Sequence, residues 1–425
     1  MRRIWQLRVV VLAVLVGFTA TACGGSTGAG ANGPMTWWHN GTSDPLKSVW
    51  QSVADAYHAA HPAVTFQISP IQNEQFQTKI PLALQSDSPP DIFQQWGAGQ
   101  EATQVQSGKV ADLTPAVSGW IGQLGNAATG WQVDGKQYGV PYDLHAVGFW
   151  YRKDIFARAG ISTPPATMDE LNADVVKLKQ AGIAPIAIGS KDRWPDAFYW
   201  DYFAVRECSI AVLKQSISGQ KLADPCFLKA GQDVKTFLAT NPFQTGFLGT
   251  PAQQGAGSSA GMVANGQAAM ELQGDWEPGT MAALTTDKNF AANLGWFPFP
   301  AVTGGAGDPS VVLGGGDGFS CTTGAPAACA DFLKYIDSTA VQQKIAAAGV
   351  GLPVNPDAAS ALSNDTERTV LQAYHQASYV QTYFDIALPT TAGQALDDAV
   401  ANFFAGQGTP QSIVDSVAQA ATGDR

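Results

Sequence analysis

The sequence predicts an α/β fold built from two domains. Strand-like and helix-like segments alternate through the stretch from Met35 to Phe93, which is the order expected of a sheet with parallel strands. About 400 residues follow the N-terminal segment, and this is more than one hydrophobic core usually supports. We therefore expect two α/β units rather than one large unit.

The first elements follow from local patterns. Met35–Trp38 has the composition of a short strand, and the run Ser43-Asp44-Pro45 supplies an N-cap candidate with proline in the first turn of a helix. Apolar residues then recur at helical spacing until Pro62 ends the pattern. A strand, a helix and a short buried strand are predicted next, at 64–68, 74–84 and 91–93.

Similar signals continue along the chain. The aromatic and β-branched stretch Tyr138–Tyr151 predicts one long strand. Thr167 and Glu170 have the spacing of a capping box, which predicts a helix from there to Gly182. Further predictions are a strand at 183–188, helices at 326–336 and 341–348, and a final amphipathic helix that begins at Thr409-Pro410.

The N-terminus has the order of an export signal. Arg2, Arg3 and Arg8 are followed by the short apolar run Val9–Val16 and then by small residues as far as Cys23. The apolar run is too short to span a bilayer as a helix. Residues 20–23, Ala-Thr-Ala-Cys, resemble the lipobox of bacterial lipoproteins, although alanine replaces the usual leucine at position 20. The resemblance implies a signal peptide over 1–22, lipidation of Cys23 with a diacylglycerol (palmitate as the acyl chain), and a flexible Gly/Ser-rich tether over 23–34.

The cysteine count fits an exported protein. The chain has five cysteines, and four remain once Cys23 is assigned to the lipid. An even set in an exported chain suggests disulfides, and four cysteines allow three pairings. We expect the two short-loop pairs, Cys208–Cys226 and Cys321–Cys329. Since these cysteines lack C-x-x-C spacing, a metal site is disfavoured and no cofactor is expected.

Charge and tryptophan content narrow the function. The formal net charge is −11, and it becomes −14 when the three signal arginines are removed, which argues against nucleic acid as a partner. Eleven of the 12 tryptophans lie after Cys23. So many indoles predict either aromatic cores or a ligand with flat apolar faces.

Several motifs together resemble the family 1 extracellular solute-binding proteins of ABC importers, the group that contains the maltose-type binding proteins. The motifs occur in family order across the mature chain: residues 91–93, 138–142, 149–156, 159–161, 164–171, 268–272 and 274–276. The resemblance implies a two-lobed fold of the periplasmic-binding-protein type (type II), with a ligand cleft between lobes joined by hinge segments. It assigns 35–143 plus 302–353 to lobe 1 and 144–301 plus 354–425 to lobe 2. The crossings are expected near 142–145, 296–303 and 351–356.

Sugar is the ligand class that the loops favour. A pyranose has apolar C–H faces, which suit aromatic rings, and hydroxyls that both donate and accept hydrogen bonds. Loops that follow predicted strands combine aromatic, amide and acidic residues, and ligands bind open α/β sheets at the carboxyl ends of strands. The candidate ligand-binding residues are His39, Asn40, Gln95, Trp96, Gln100, Asp143, His145, Arg193, Trp194, Asp275, Trp276, Gly316, Asp317, Tyr383 and Asp385.

Packing is the competing interpretation for some of these residues. Trp96 and Trp276 are assigned to the ligand because of their loop context, whereas Trp194 fits either role. Asp317 could stabilise a turn, and His145 could be a buried histidine that contacts no ligand. The tryptophans that lie on strand or helix stripes are assigned to the core: Trp37, Trp50, Trp150 and Trp296, with Trp200 a further packing candidate.

Two other function classes stay open at this point. An exported glycoside hydrolase would need a pair of carboxylates, and acidic residues are present in the right loops. The stretch Gly257–Gly261 fits G-x-S-x-G, but no strand-like run precedes it, as a nucleophile elbow requires. The third class is a binding protein for a non-sugar solute. We expect a monomeric sugar-binding subunit, not an enzyme, held by its lipid on the extracytoplasmic face of the cell membrane, where it would deliver ligand to permease subunits.

Overall fold

The computed structural model describes residues 33–423. The predicted signal peptide, Cys23 and most of the tether lie outside the described residues. Within 33–423, no helix is both long and apolar enough to cross a membrane.

Fifteen strands form the sheets of the described part of the chain. They are β1 (Met35–His39), β2 (Phe66–Pro70), β3 (Ile92–Gln95), β4 (Gln132–Val133), β5 (Lys136–Gln137), β6 (Gly139–Pro141), β7 (Asp143–Ala146), β8 (Gly148–Arg152), β9 (Ala184–Ala187), β10 (Ala268–Gln273), β11 (Leu294–Phe297), β12 (Val312–Gly315), β13 (Gly318–Cys321), β14 (Leu352–Pro353) and β15 (Val380–Thr382).

Eighteen α-helices accompany them, with short 3-10 turns at 121–131, 190–192, 247–249 and 356–361. The helices are α1 (Leu46–Ala60), α2 (Asn73–Leu84), α3 (Ala98–Val105), α4 (Thr114–Val117), α5 (Lys153–Arg158), α6 (Met168–Gln180), α7 (Trp194–Glu207), α8 (Ile210–Gly219), α9 (Pro225–Ala239), α10 (Ser259–Ala264), α11 (Glu277–Ala283), α12 (Phe290–Asn293), α13 (Ala328–Ile336), α14 (Thr339–Ala348), α15 (Asp365–Gln376), α16 (Phe384–Ala387), α17 (Thr390–Phe404) and α18 (Pro410–Gly423).

The first sheet has the strand order β2-β1-β3-β13-β6. Strands β1, β2 and β3 are parallel, joined through α1 and α2, whereas β13 and β6 are antiparallel to their neighbours. The alternation predicted from Met35 to Phe93 is therefore confirmed. Trp50, Val53 and Tyr57 form the buried stripe of α1 that the helical spacing predicts.

The second sheet has the order β11-β8-β10-β9 and comes from the middle of the chain. Its helix α6 opens with the predicted capping box, since Thr167 accepts a hydrogen bond from the backbone of Glu170 and the Glu170 side chain accepts from that of Thr167. The long helix α7 follows β9 and is buried along almost its whole length. It contributes Trp200 and several other rings to the surrounding aromatic core.

The third sheet, β14-β7-β12-β15, lies where the chain passes between the first two. Here the structure corrects the prediction of a single strand over Tyr138–Tyr151. That stretch contains β6, β7 and β8, which belong to three different sheets, with breaks at Tyr142 and Val147. All three short strands are largely buried, so their residues have a similar composition. The sequence therefore shows no boundary where the chain changes from one sheet to the next.

The tryptophans assigned to the core are buried as predicted, except that Trp296 is buried only in part. Trp37, Trp50, Trp150 and Trp200 are fully buried, whereas Trp296 is half-buried and packs against a core cluster. The structure also contains both predicted disulfides, Cys208–Cys226 and Cys321–Cys329. The division of the chain into lobes at 143/144, 301/302 and 353/354 stays a prediction.

Candidate ligand cleft

Two adjoining cavities form one cleft between elements of the first and second sheets. The inner cavity has a volume of ≈ 170 Å³ and the outer one ≈ 950 Å³. Their walls share Glu74 from α2, Trp194 from α7, and Asp192 and Asp385. Because α2 follows β2 of the first sheet and α7 follows β9 of the second, the cleft takes side chains from both sides.

Eight of the predicted ligand residues line the inner cavity: Asn40, Trp96, His145, Trp194, Trp276, Asp317, Tyr383 and Asp385. Six of these follow strands directly or within a few residues, namely Asn40 after β1, Trp96 after β3, Trp276 after β10, Asp317 after β12, and Tyr383 and Asp385 after β15. Carboxyl ends of strands from three sheets thus converge on one space, as expected for ligand sites in α/β folds.

Two other predicted residues reach only the outer cavity. Gln100 on α3 donates a hydrogen bond from Nε2 to Oε1 of Gln77, 2.6 Å away. Arg193 lies at the mouth, where its guanidinium pairs with the carboxylate of Asp398. Both side chains could contact only a ligand that extends beyond the inner cavity.

Five predicted residues do not line either cavity: His39, Gln95, Asp143, Asp275 and Gly316. All are buried behind the wall. Gln95 Oε1 accepts hydrogen bonds from the backbone N–H groups of Trp96 and Gly97, so it holds the loop that presents the Trp96 ring. Burial lowers the pKa of His39 to about 3, and its Nδ1 accepts from the N–H of Gly41 at 3.1 Å.

Gly316 acts through its lack of a side chain. A Cβ at this position would lie 2.5 Å from the carbonyl oxygen of Asp143, too close for any other residue without a shift of the backbone. The next residue, Asp317, can therefore place its N–H 2.6 Å from Oδ1 of Asp143 while its carboxylate faces the cavity.

Three indoles contribute to the apolar part of the inner wall. Trp276 and Trp194 meet edge to face with ring centroids 6.3 Å apart, and Trp276 also meets the His145 ring at 4.7 Å. Trp96 packs edge to face on Phe76. Each of the three tryptophans is only partly buried, in contrast to the core tryptophans. Together with Phe198 and Tyr383, which line the same cavity, they offer aromatic surfaces to a ligand.

A buried acidic cluster surrounds His145 at the base of the cleft. Its Nε2 lies 3.2 Å from Asp143 and 3.6 Å from Asp317, and its Nδ1 lies 3.1 Å from Asp275. Burial opposes a charged imidazole, but the attraction of Asp143 and Asp275 outweighs it and raises the pKa of His145 well above its usual value. Asp143, His145 and Asp317 each offer one possible metal-ligand atom, and these atoms lie within 4.8 Å of one another.

A side-chain hydrogen bond crosses the cleft at Trp194. Trp194 Nε1 donates to Oε1 of Glu74 at 3.1 Å, so α7 and α2 are linked directly. Burial, and then the neighbouring Asp192, raise the pKa of Glu74. Neither carboxylate was predicted from the sequence: Glu74 lies in the first turn of α2, and Asp192 lies in the turn after β9.

Other polar wall residues were also missed. Part of the loop between β1 and α1 lines the inner cavity, and so do amides and a hydroxyl from elsewhere in the chain: Gln72, Asn73, Gln253, Gln254 and Thr280. The tryptophans next to strand ends were the signal that located the cleft. Isolated glutamines carry no comparable local signal.

The G-x-S-x-G stretch has a structural role. Ser259 is buried, lies on neither cavity wall, and its hydroxyl bonds the carbonyl oxygen of Ala252 and the Glu271 carboxylate. It begins α10, which is followed rather than preceded by a strand of the sheet, β10. This is the reverse of the order in a nucleophile elbow.

The family model for bacterial extracellular solute-binding proteins matches residues 40–343. The chain therefore belongs to the bacterial extracellular solute-binding protein family. The diacetylchitobiose-binding protein DasA of Streptomyces coelicolor is 28% identical over 324 residues, which cover 72% of this chain and 71% of that protein. An ABC transporter extracellular-binding protein of Pyrococcus horikoshii is 27% identical over 278 residues, and the match spans 62% of this chain but only 59% of that protein.

Solved structures show the same fold. A protein described in connection with xylan utilization by the thermophilic bacterium Caldanaerobius polysaccharolyticus superposes with a TM-score of 0.83 at 24% identity, covering 91% of this chain and 99% of that one. A chitin oligosaccharide binding protein superposes with a TM-score of 0.80 at 23% identity, covering 92% and 98%. The fold is that of the two-lobed periplasmic binding proteins.

Proposed function

We propose that this protein captures a sugar, most simply an oligosaccharide, in the cleft between its first and second sheets and delivers it to the permease of an ABC importer. The observation that carries the proposal is the convergence of Trp96, Trp194 and Trp276 with acidic and amide side chains in one cleft. Indole faces cover the C–H faces of pyranose rings, and carboxylates and amides bond their hydroxyls.

The size of the cleft supports more than one sugar unit. The inner cavity carries the three indoles, and the outer cavity continues from it with polar walls that include Gln100, Gln77 and Asp397. A ligand of several rings would place one ring against the indoles and extend outward. Relatives with named ligands are consistent with this, since one binds diacetylchitobiose and another is the lactose-binding protein of Rhizobium radiobacter, 32% identical over 39% of this chain.

The location follows from the N-terminal motif. We infer that the chain is exported, that Cys23 is lipidated and that the protein is held on the outer face of the cell membrane as a monomer. Two acyl chains anchor a protein stably, whereas one chain does so only weakly. Cys23→Ala is expected to move the protein from the membrane fraction to the soluble fraction. An unchanged membrane fraction for this variant would contradict the lipid anchor.

The proposed activity is binding without chemistry. The glycoside-hydrolase alternative requires product formation, so the two functions are separated by incubating the purified protein with any sugar it binds and analysing the sugar by chromatography. We expect intact sugar. Hydrolysis that scales with the amount of protein and survives further purification would favour the enzyme.

A thermal-shift screen tests the binding function directly. Full-length protein in detergent is melted with neutral mono- and oligosaccharides, amino sugars, dipeptides and polyamines, and hits are measured by titration calorimetry. A sugar hit raises the melting temperature, because ligand that binds only the folded state stabilises it by RT ln(1 + [L]/Kd). Peptides or polyamines as the only hits would replace sugar with another solute class.

A further inference from the structure

The cleft is acidic on both of its sides. Carboxylates along its walls include Glu74, Asp192, Asp317, Asp385, Asp397 and Asp398. Among the described residues, Lys191 and Arg193 are the only lysine or arginine side chains on these walls. Both are exposed, and Arg193 already pairs with Asp398. The hydroxyls of a neutral sugar can donate to individual carboxylates, but they leave the net negative charge of these walls uncompensated.

Glu74 and Asp192 line both cavities of the cleft. Glu74 reaches the cleft from α2 and Asp192 from the turn after β9, so like charges approach from opposite sides. Their hydrogen-bond partners are uncharged: Glu74 accepts from Trp194 Nε1 at 3.1 Å, and Asp192 accepts from the N–H of Ala252 at 2.8 Å. Burial raises the pKa of each, and Asp192 raises that of Glu74 further. The neighbouring cations oppose these shifts without cancelling them: Arg193 acts on Glu74 and Lys191 on Asp192.

A second feature of the inner cavity indicates a ligand there. Tyr383 is only 7% exposed, lines the inner cavity beside Asp317 and Asp385, and its hydroxyl has no hydrogen-bond partner in the structure. A buried hydroxyl without a partner costs free energy unless a ligand supplies one. The neighbouring faces of Trp194 and Trp276 attract cations as well as C–H groups, because the ring face carries negative charge density.

We propose that the cleft selects a saccharide that carries a protonated amine, with the ammonium group held between Glu74 and Asp192. This rests on the proposed sugar-binding function and narrows its ligand class to amino sugars. An ammonium donates charge-assisted hydrogen bonds, which are stronger than those from a hydroxyl. It also removes the repulsion between the two carboxylates, which a neutral ligand leaves in place.

The test compares matched sugars that differ only at the amine. Glucosamine-type and galactosamine-type oligosaccharides are titrated against their N-acetylated and fully hydroxylated counterparts, with full-length protein and at a pH at which the amine is protonated. We expect the amine form to bind at least about tenfold more tightly than the matched neutral form, because hydrogen bonds from a charged group are stronger than those from a neutral one. The difference should shrink at high salt.

Substitutions assign the effect to the two carboxylates. Glu74→Gln keeps an oxygen that can accept from Trp194 Nε1, and Asp192→Asn keeps one for Ala252, so each removes charge with little change of shape. Each is expected to lower the ratio of amine to neutral affinity about tenfold. Asp134→Asn, a charge-matched control in the exposed turn between β4 and β5, should leave the ratio unchanged.

The outcomes are distinct. Tight binding of a neutral sugar with no preference for its amine counterpart overturns the amine proposal and leaves sugar binding intact. A preference that survives both substitutions also overturns it, since the charge pair would not be responsible. Failure of every sugar, charged or neutral, overturns the proposed function together with this inference.

Discussion

Asp275 Oδ1 lies 3.1 Å from Nδ1 of His145, and the same oxygen accepts a hydrogen bond from the N–H of Ala146 at 2.8 Å. The other carboxylate oxygen accepts from the N–H of Leu352 at 2.9 Å. One side chain from the loop after β10 therefore ties two strands of the third sheet, β7 and the short β14, to the second sheet. Asp275 was predicted as a ligand contact, but this geometry makes it part of the support beneath Trp276.

Asp275→Ala should destabilise the protein strongly. It removes three hydrogen bonds and leaves two backbone donors and one side of His145 without partners in a buried place. Breaking a buried charge pair typically costs about 3–5 kcal/mol. Chemical denaturation measures the loss in free energy of unfolding. Asp415→Ala, an exposed carboxylate on α18, serves as the control, and equal losses for the two variants would contradict the supporting role.

Stability should fall as pH rises from about 6.5 to about 8. Burial raises the pKa of Glu101, Asp196 and Glu277 to about 8 each, so these carboxyls are protonated in the folded protein where they would be ionised in the unfolded chain. The folded state then binds more protons than the unfolded state. The stability that these bound protons contribute is lost as the pH rises through the folded pKa. Burial lowers the pKa of His39 to about 3, so this residue makes stability rise with pH, but only below its ordinary pKa of 6.5. It therefore does not oppose the fall in stability above that pH.

Glu101→Gln tests this pH dependence. Both oxygens of Glu101 are buried without hydrogen-bond partners, so a neutral side chain of the same shape removes the cost of ionising it. Each such group changes the free energy of unfolding by at most about 1.4 kcal/mol per pH unit. We expect a smaller loss of unfolding free energy between neutral and mildly alkaline pH in the variant than in the parent. Identical slopes would mean that Glu101 does not titrate in this range.

Trp276→Ala should mainly weaken ligand binding, whereas Trp50→Ala should mainly lower the stability of the fold. Trp276 lies half-buried on the cleft wall, so its loss should weaken binding of an identified sugar at least about tenfold, or about 1.4 kcal/mol, with a modest effect on the free protein. Trp50 is fully buried in the first-sheet core, and its loss should cost about 3–5 kcal/mol of stability. Calorimetry and denaturation report the two quantities. Equal destabilisation with unchanged affinity would make Trp276 a packing residue.

Each disulfide should stabilise the fold according to the loop it closes. The separations are 18 residues for Cys208–Cys226 and 8 for Cys321–Cys329, so the chain-entropy relation predicts about 3 and about 2.5 kcal/mol. Double alanine variants of each pair, unfolded in denaturant, measure these values. Mass mapping of the exported parent should find both crosslinks. Free thiols at all four positions in that protein would refute the pairing.

The sequence by itself determined the elements that depend on neighbours in the chain. Strands β1 to β3 and helices α1 and α2 could be predicted because side-chain periodicity, caps and prolines act over a few residues. The capping box at Thr167 and the cysteine pairs of short separation belong to the same class. So does the general place of the cleft, because aromatic residues beside strand ends are visible in the sequence.

Tertiary structure alone decided which of those residues face the cleft. Tyr138–Tyr151 supplies strands to three sheets, and an extended backbone carries no mark of the partner it will pair with. His145 and Asp275, or Glu74 and Asp192, are far apart in sequence and meet only when the sheets assemble. Burial and charge at such positions depend on what the rest of the chain brings near them, and the pKa of His145 and the acidity of the cleft follow from that assembly.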